Sequence, residues 1–273
     1  MKWSSEYRVH YYYTDYNNVL KTSYIARYMQ ETAWSSLKEW GTNPQYLTER
    51  NLAFILSKIS FRYYSEIYED DIIKVETWEN PAKTVIFPRN YRVYNISQGG
   101  EIAAEATSAW ALMDMKEKSI IKPSIIPDDL KKNIDDEEMG FAVQRRFKIP
   151  ETASTAEYAK YAEYKVRYSD IDTNLHMNNA AYIDLICDNL YYDGEELSPN
   201  LKKKILSLDL NYNTQVVLGD VIGINKSIAV IKNHEHTDNI KNIKNIKNIE
   251  EHYFNADIKS SGQNCFEAKV VKL

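Results

Sequence analysis

Residues 164–183 read "YKVRYSDIDTNLHMNNAAYI", and residues 7–26, "YRVHYYYTDYNNVLKTSYIA", repeat this pattern. The repeat is the main indication of the fold. Both stretches begin with the alternation Tyr-x-Val-x-Tyr, which is typical of a β-strand. Counted without a gap from this alternation, three positions pair across the copies: Asp15 with Asp172, Asn17 with Asn174, and Val19 with His176. We interpret the match as a duplication, so the chain contains two copies of one structural unit.

The two copies continue with the same order of elements. Apolar residues at helical spacing predict a long helix at 23–41, ended by Gly41, and a second helix at 181–192. Residues 55–72 and 205–222 both begin with Ile-Leu-Ser and end with Asp-x-Ile, and each predicts a strand, a turn and a strand. Further alternating runs predict antiparallel strands. We therefore expect an α+β fold with two tandem domains, each with one strand, one long helix and about four or five further antiparallel strands.

The predicted domain boundaries follow changes in composition. An N-terminal domain at 1–135 and a C-terminal domain at 161–273 flank a linker at 136–160, which is rich in charged, proline and small polar residues. Within the second domain, residues 239–251 read "NIKNIKNIKNIEE". Their isoleucine period of three fits neither a helix nor a strand, so we interpret the tract as a low-complexity surface loop inserted into a hairpin.

Composition and charge exclude several classes of function. The 273 residues carry a net charge of −5, which does not favour non-specific nucleic-acid binding. Cys187 and Cys265 lie far apart outside any CxxC pair, so neither a disulfide framework nor a zinc site is predicted. No P-loop or GxGxxG motif occurs, and no stretch reaches the roughly 20 apolar residues of a membrane span. With no apolar signal segment at the N-terminus, a soluble cytoplasmic protein is expected.

The loop before the second helix carries the candidate catalytic residues Asp172, Asn174 and His176. A structural role is open for each of them, because Asp and Asn commonly form turns or helix N-caps and a histidine can serve packing alone. The repeat separates these roles, since the first copy keeps the Asp and the Asn but has Val19 in place of the histidine. His176 is therefore the residue that we most expect to take part in catalysis.

The string Asp-x-Asn-x-His-x-Asn-Asn in "DTNLHMNNAAYI" (172–183) resembles the acyl-acyl-carrier-protein thioesterases, the plant and bacterial enzymes that release fatty acids. "VETWENPAK" (75–83), "SAWALMD" (108–114) and "LNYNTQVVLGD" (210–220) extend the resemblance over nearly the whole chain. It implies two tandem hotdog domains, each a long helix wrapped by an antiparallel β-sheet, with the acyl chain bound in the first and catalysis in the second. The family's glutamate in a Tyr-x-x-Glu pattern is replaced here by Gln215, and the cysteine after it in plant members by Val216.

Hydrolysis of a thioester requires a nucleophile, stabilisation of an oxyanion and a proton for the thiolate. His176 is expected to take a proton from water, and Asp172 to orient the imidazole. Asn174 is expected to orient the water or contact the carbonyl oxygen, and Gln215 to hydrogen-bond the water. The first N–H groups of the following helix, near Asn179 and Ala180, are expected to form an oxyanion site. An alternative for Gln215 is a merely polar position on a sheet face.

The resemblance implies an acidic partner, acyl carrier protein bearing a phosphopantetheine-linked acyl chain, and neither a cofactor nor a metal. Its docking surface should be locally basic, and the candidates lie in two clusters: Arg145, Arg146 and Lys148, and Lys202, Lys203 and Lys204. Ordinary solvated charges remain an alternative for both clusters. A homodimer is possible. Two other functions stay open, an acyl-CoA thioesterase and a non-hydrolytic protein that binds acyl thioesters.

Overall fold

The computed structural model describes residues 1–39, 44–122, 134–144, 147, 160–191, 204–232 and 248–273. The chain divides into two compact units, residues 1–143 and residues 144–273. In the part of the chain described, no helix has the length and the apolar character that crossing a bilayer requires.

Among the described residues, the first unit is an antiparallel sheet of six strands, the last only two residues long, with one long helix. Its elements are β1 (Trp3–Arg8), α1 (Thr22–Glu39), α2 (Pro44–Glu49), β2 (Leu52–Tyr63), β3 (Ile72–Glu79), β4 (Phe87–Asn95), β5 (Glu101–Asp114) and β6 (Ser119–Ile120). The strands lie in the order β1-β3-β4-β5-β2, and the short β6 pairs with β5. The turn between β4 and β5 has Gly99 at φ 85° and Gly100 at φ 76°, a conformation that a side chain would disfavour.

The second unit repeats this topology. Its elements are β7 (Lys160–Lys165), α3 (Asn179–Tyr191), β8 (Ile205–Tyr212), β9 (Val221–Lys232), β10 (Asn248–Ile258) and β11 (Asn264–Lys272). The strand order β7-β9-β10-β11-β8 is that of the first unit, β1-β3-β4-β5-β2, with each strand replaced by its counterpart. The predicted duplication is confirmed in the strand pairing of each unit.

Both long helices were predicted close to their observed positions. In α1 the buried residues recur at helical spacing, Ile25, Tyr28, Met29 and Thr32 among them, and the helix packs on β1 and β3. The predicted helix end at Gly41 lies outside the described residues. The face of α1 that carries these buried residues is the one that packs on the sheet.

The strands that open the two copies end earlier than their sequence patterns predict. β1 stops at Arg8 and a 3-10 turn follows at Tyr11–Tyr13, whereas the pattern extends to Tyr11. β7 likewise stops at Lys165, before a 3-10 turn at Tyr168–Asp170. The two copies share the bond beyond the strand end, since Val9 N–H donates to Asp71 O and Val166 N–H to Asp220 O, both at 2.9 Å.

The strand pairing corrects the alignment of the two copies by one residue. β2 has a bulge against β5 between Leu56 and Lys58, and β8 has a bulge against β11 between Ile205 and Ser207, each accommodating one extra residue. Leu56 therefore corresponds to Ile205, so the comparison that matches Ile-Leu-Ser at 55–57 with 205–207 is displaced by one residue along its whole length. Backbone bonds identify the true partners: Leu20 N–H donates to Ile67 O at 2.7 Å, and Met177 N–H donates to Val216 O at 2.8 Å. Ile67 thus corresponds to Val216.

Part of the predicted linker at 136–160 packs against the first unit. The backbone oxygen of Glu137 accepts hydrogen bonds from Trp78 Nε1 at 2.8 Å and from Asn80 Nδ2 at 2.9 Å. The Phe141 ring lies 4.7 Å from the Arg62 guanidinium. These contacts cover the face of the sheet opposite α1, and Trp78 is fully buried there. Most of the remaining linker lies outside the described residues.

The prediction of a surface loop at 239–251 is wrong for its last four residues. Residues 248–251 are the first residues of β10 and pair with β9 along an unbroken register, Asn248 opposite Lys232 and Glu251 opposite Ala229. Ile249 is buried, so the last isoleucine of the repeat belongs to the core. Residues 239–247 lie outside the described part of the chain.

The interior of the second unit contains a buried histidine beside two buried lysines. His252, Lys226 and Lys272 are each less than 5% exposed. Lys226 Nζ donates to Asn189 O at 2.8 Å near the end of α3, where cations are favoured by the helix dipole. Burial lowers the pKa of His252 to about 3, the charges of Lys272 and Lys226 act in the same direction, and a hydrogen bond with Glu250 opposes them.

This histidine predicts acid sensitivity. Because the folded state binds a proton at His252 less readily than the unfolded chain, the free energy of unfolding should rise with pH from about 3 to the ordinary value of 6.5. In His252→Gln this contribution disappears. Urea unfolding at several pH values between 5 and 6.5, where most carboxylates are already ionised, should show a shallower slope for the variant than for the parent. Equal slopes would contradict the assignment.

Candidate active site

The loop before α3 is closed by the carboxylate of Asp172. Its Oδ1 accepts a hydrogen bond from Asn174 N–H at 2.8 Å, Leu175 N–H donates to Asp172 O at 3.0 Å, and Asp172 N–H donates to His176 O at 3.0 Å. These bonds turn the chain within five residues and leave Leu175 at φ 63°. Asp172 and His176 are half-buried, while Asn174 is exposed.

The loop before α1 has the same backbone. Asp15 Oδ1 accepts from Asn17 N–H at 2.8 Å, Asp15 N–H donates to Val19 O at 2.7 Å, and Asn18 N–H donates to Asp15 O at 3.0 Å. Asn18 has φ 62°. The predicted correspondence of Asp15 with Asp172 therefore holds in three dimensions. Asp forms the turn in both copies, and only the second presents a histidine.

Asp172 is committed to this turn. Among the hydrogen bonds of the described residues, none joins its carboxylate to the His176 imidazole, and Oδ1 is taken by the Asn174 amide. The expected direct hold of the carboxylate on the imidazole is therefore not what the geometry shows. Instead the backbone bond from Asp172 N–H to His176 O fixes the position of the His176 backbone, from which the imidazole extends. We assign Asp172 as a positioning residue for His176.

The loop after β8 lies against this turn, as the bond from Met177 N–H to Val216 O shows. Gln215 precedes Val216 and is exposed; it lies beyond the end of β8 rather than on a strand. The alternative of a polar position on a sheet face is therefore wrong. Because Ile67 corresponds to Val216, the residue of the first unit at the position of Gln215 is Glu66, which the ungapped alignment does not reveal.

The start of α3 is capped by Asn178. Its Oδ1 accepts from Ala180 N–H at 2.9 Å, which is the usual N-cap contact, and Asn178 N–H donates to Asp170 O at 2.7 Å. This corrects the expectation for the oxyanion site, because the Ala180 amide is occupied by the cap. Within the expected pair, only Asn179 remains a candidate donor.

Aromatic side chains form a buried floor below the loop. Tyr212 Oη donates to Asn179 O at 3.0 Å, and the Tyr182 ring lies 5.3 Å from that of Tyr212 and 5.7 Å from that of Phe266. Burial raises the pKa of both tyrosines well above its usual range and that of Cys265 to about 12. All three groups are neutral near pH 7, as they are at their ordinary pKa values.

Two supporting residues were missed from the sequence. Asp170 Oδ2 accepts from Arg167 N–H and from Tyr164 Oη, each at 2.7 Å, and so holds the turn after β7. Tyr212 belongs to the Tyr-x-x-Gln pattern, but the pattern does not reveal that its hydroxyl supports the first turn of α3. The Asp170 carboxylate accepts from the N–H three residues earlier in the chain, and this short spacing reveals Asp170 once the turn is located.

Several expected residues lie away from this loop or outside the described chain. Cys187 is half-buried in α3, and Cys265 is buried in β11, where its Sγ donates to Ala256 O at 3.2 Å. Among the basic candidates, Lys204 is half-buried and its backbone oxygen accepts from Leu273 N–H at 3.1 Å. The other five lie outside the described residues. No cluster of three metal-ligating side chains occurs in the part that is described.

Family comparisons match both halves of the chain. Residues 1–134 match the acyl-ACP thioesterase N-terminal domain, and residues 153–270 match the acyl-ACP thioesterase C-terminal domain. Oleoyl-acyl carrier protein thioesterase 1 of Arabidopsis thaliana is 24% identical over 242 residues, which cover 81% of this chain and 62% of that protein. A palmitoyl-acyl carrier protein thioesterase of Gossypium hirsutum is 25% identical, over 60% of this chain and 41% of its own. The chain thus spans less than two thirds of the length of these relatives.

Solved structures share the fold over the full length. An acyl-ACP thioesterase from Bacteroides thetaiotaomicron superposes with a TM-score of 0.75 at 19% identity, covering 100% of this chain and 98% of that one. The 12:0-ACP thioesterase from Umbellularia californica gives a TM-score of 0.74 at 17% identity, covering 100% and 94%. The expected tandem hotdog architecture is confirmed.

The turn geometry predicts matched effects in the two copies. Asp172→Ala and Asp15→Ala each remove a carboxylate–amide bond, so each should lower the free energy of unfolding by about 0.5–1.5 kcal/mol. Asp172→Asn should retain most of the stability, because its amide oxygen accepts from the same N–H. Chemical denaturation of the three variants checks this. A loss in Asp172→Asn equal to that in Asp172→Ala would contradict the assigned role.

Proposed function

The chain belongs to the acyl-ACP thioesterase family, and on that premise we propose that it hydrolyses fatty acyl thioesters of acyl carrier protein to free fatty acid and holo-carrier. One observation carries the proposal. Two turns with the same backbone, residues 15–19 and 172–176, precede the two long helices, and only the second ends in a histidine, with Val19 at the matching position of the first. Since the turn geometry does not require a histidine, a role in a reaction best explains His176.

The proposed reaction is attack of water on the thioester carbonyl, with His176 as general base. The imidazole takes a proton from the water as its oxygen bonds to the carbonyl carbon, and an oxyanion forms. When the oxyanion collapses, the carbon–sulfur bond breaks and the imidazolium returns the proton to the thiolate. Thiolate is a good leaving group, so a separate strong acid is unnecessary. The half-buried position of His176 allows contact with both water and a substrate.

The neighbouring residues act by orientation. Asn174 is exposed at the turn, so its amide can hold the attacking water or contact the carbonyl oxygen. Gln215 can hydrogen-bond the water but cannot accept its proton as a carboxylate would. Asp172 keeps the turn closed and thereby holds His176 in position. Asn179 is the proposed backbone donor to the oxyanion, at the positive end of α3.

The proposal also assigns different roles to the two units. The second unit, which contains His176, is assigned the reaction, and the first is assigned the acyl chain, as in the family that the sequence resembles. The carrier protein is the proposed partner, with a cytoplasmic location and a possible homodimer. Support for carrier protein over coenzyme A comes from the family match to both halves of the chain.

A substrate panel separates the candidate functions. Purified protein is incubated with acyl carrier protein and coenzyme A thioesters of several chain lengths, and thiol release is followed. Faster turnover of the carrier thioesters supports the proposal, and faster turnover of the coenzyme A thioesters favours an acyl-CoA thioesterase. Binding without any turnover would favour the non-hydrolytic binding protein, for which the absence of the family glutamate at Gln215 is the motivating observation.

Removal of the imidazole should abolish most of the turnover. His176→Ala should lower kcat roughly 10²–10⁴-fold, the usual contribution of a positioned acid–base group. Val19→Ala changes the matching position of the first loop and should leave kcat near the parent value. Steady-state kinetics on the best substrate of the panel measure both. Full turnover by His176→Ala would remove the assignment.

The role of Gln215 has its own test. If it only orients water while His176 takes the proton, Gln215→Ala should lower kcat about 10-fold and Gln215→Glu should change it by less than that. Glu66→Gln, at the matching position of the first unit, serves as the control and should have no effect. A gain of more than about 100-fold in Gln215→Glu would show instead that a carboxylate at this position is the base.

A further inference from the structure

The two matching loops differ most in the side chains that they expose. Leu175 is 75% exposed and stands where the first unit has Asn18. Leu218 is 56% exposed and stands where the first unit has the exposed Glu69. The second pairing follows from a shared bond, because Tyr68 N–H donates to Asp71 Oδ2 at 2.9 Å and Val217 N–H to Asp220 Oδ2 at 3.0 Å.

Leu175 occupies a backbone conformation that disfavours leucine. Its φ of 63° lies in the left-handed region, which Asn tolerates because its short polar side chain can bond locally, and which costs a bulky side chain more. Asn18 at φ 62° follows that preference. An exposed leucine in this conformation contributes neither to local geometry nor to a core. Such local strain is typical of positions held for function.

These exposed apolar side chains belong to the two loops that meet next to the proposed catalytic histidine. Leu175 directly precedes His176 in the loop. Val217, 44% exposed, and Leu218 follow Val216, whose backbone oxygen accepts from Met177 N–H at 2.8 Å. We call Leu175, Val217 and Leu218 the apolar rim. It is formed by two loops that backbone hydrogen bonds join, so its members keep their positions next to His176.

We propose that the apolar rim binds the pantetheine arm of the thioester substrate, an inference that rests on the proposed function. A thioester carbonyl held at His176 has two branches, the acyl chain and the thiol. The long acyl chain gains most from a site removed from water, so side chains that face solvent are left to the thiol branch. Pantetheine suits them, because its methylenes and paired methyl groups alternate with amides that remain hydrated.

The test exchanges two of the three rim residues, Leu175 and Leu218, for their counterparts in the first unit. In Leu175→Asn/Leu218→Glu the backbone should hold, and the melting temperature should stay at or above the parent value because Asn relieves the strain at residue 175. The KM should rise about 10-fold for acyl-pantetheine, acyl-CoA and acyl carrier protein alike, with kcat changed less than 2-fold. Hydrolysis of the ethanethiol ester, which lacks the arm, should keep its kcat/KM.

Three comparisons show whether the rim acts on the arm, on the reaction or on the body of the carrier. Asn18→Leu/Glu69→Leu makes the reverse exchange in the first unit and should leave every KM unchanged. An equal loss on the ethanethiol ester would overturn the inference, because the rim would then act on the reaction itself. A loss confined to acyl carrier protein would also overturn it and assign the rim to the body of the carrier.

A binding measurement keeps the inference distinct from the proposed reaction. Calorimetry with a non-hydrolysable acyl-pantetheine amide should show about 10-fold weaker binding to the rim variant than to the parent. If the parent binds this analogue but hydrolyses no thioester, the proposed hydrolysis fails while the inference stands. If the rim variant binds the analogue as tightly as the parent, or if the parent does not bind it, the inference fails.

Discussion

One short-range interaction shapes the loops that precede the two long helices, the second of which bears the proposed catalytic histidine. A carboxylate oxygen accepts a hydrogen bond from the backbone N–H two residues further on. It joins Asp15 to Asn17 and Asp172 to Asn174, at 2.8 Å in both units. With the chain turned so tightly, the residue before Val19 or His176 must take a positive φ. The next residue is thereby presented at the start of the long helix, where unpaired N–H groups and the helix dipole favour developing negative charge.

Duplication of this turn makes it possible to separate structure from chemistry. A residue required by the backbone recurs in both copies, as Asp15 and Asp172 do, whereas a residue required by a reaction need occur only once. We propose that His176 and the exposed Leu175 belong to the second group, since the first copy has Val19 and Asn18 in their places. Asp172 shapes the loop, and Tyr212 supports the first turn of α3 through its hydrogen bond to Asn179 O.

Much of this organisation could be predicted from the sequence, because it depends on local patterns. The periodicity of 23–41 and the gapless match of Asp15 with Asp172 located α1 and both turns. Errors arose where distant contacts decide the outcome. The strand patterns at Tyr7 and Tyr164 continue past Arg8 and Lys165, where the strands end. The match of Ile-Leu-Ser at 55–57 with 205–207 is out by one residue, because the pairing of β2 with β5 and of β8 with β11 aligns Leu56 with Ile205 and Glu66 with Gln215.

The backbone amides of the loop and the pKa of a buried histidine show the same limit of prediction from sequence. Asn178 could be expected to cap α3 from its position alone, yet its bond to Ala180 removes one of the amides predicted to bind an oxyanion. The low pKa of His252 could not be predicted either, because it results from burial beside lysines on two other strands. Sequence spacing locates candidate residues, and packing decides which of their atoms remain available.

The proposed mechanism requires the second loop alone to hold the reacting carbonyl. A crystal structure of the protein with a non-hydrolysable acyl-pantetheine amide tests this requirement. We predict the amide carbonyl carbon about 3–3.5 Å from a water that is hydrogen-bonded to His176, the distance of a near-attack arrangement, with the thiol branch of the analogue crossing Leu175. A carbonyl bound beside Val19, or a His176 imidazole turned away from the bound analogue, would contradict it.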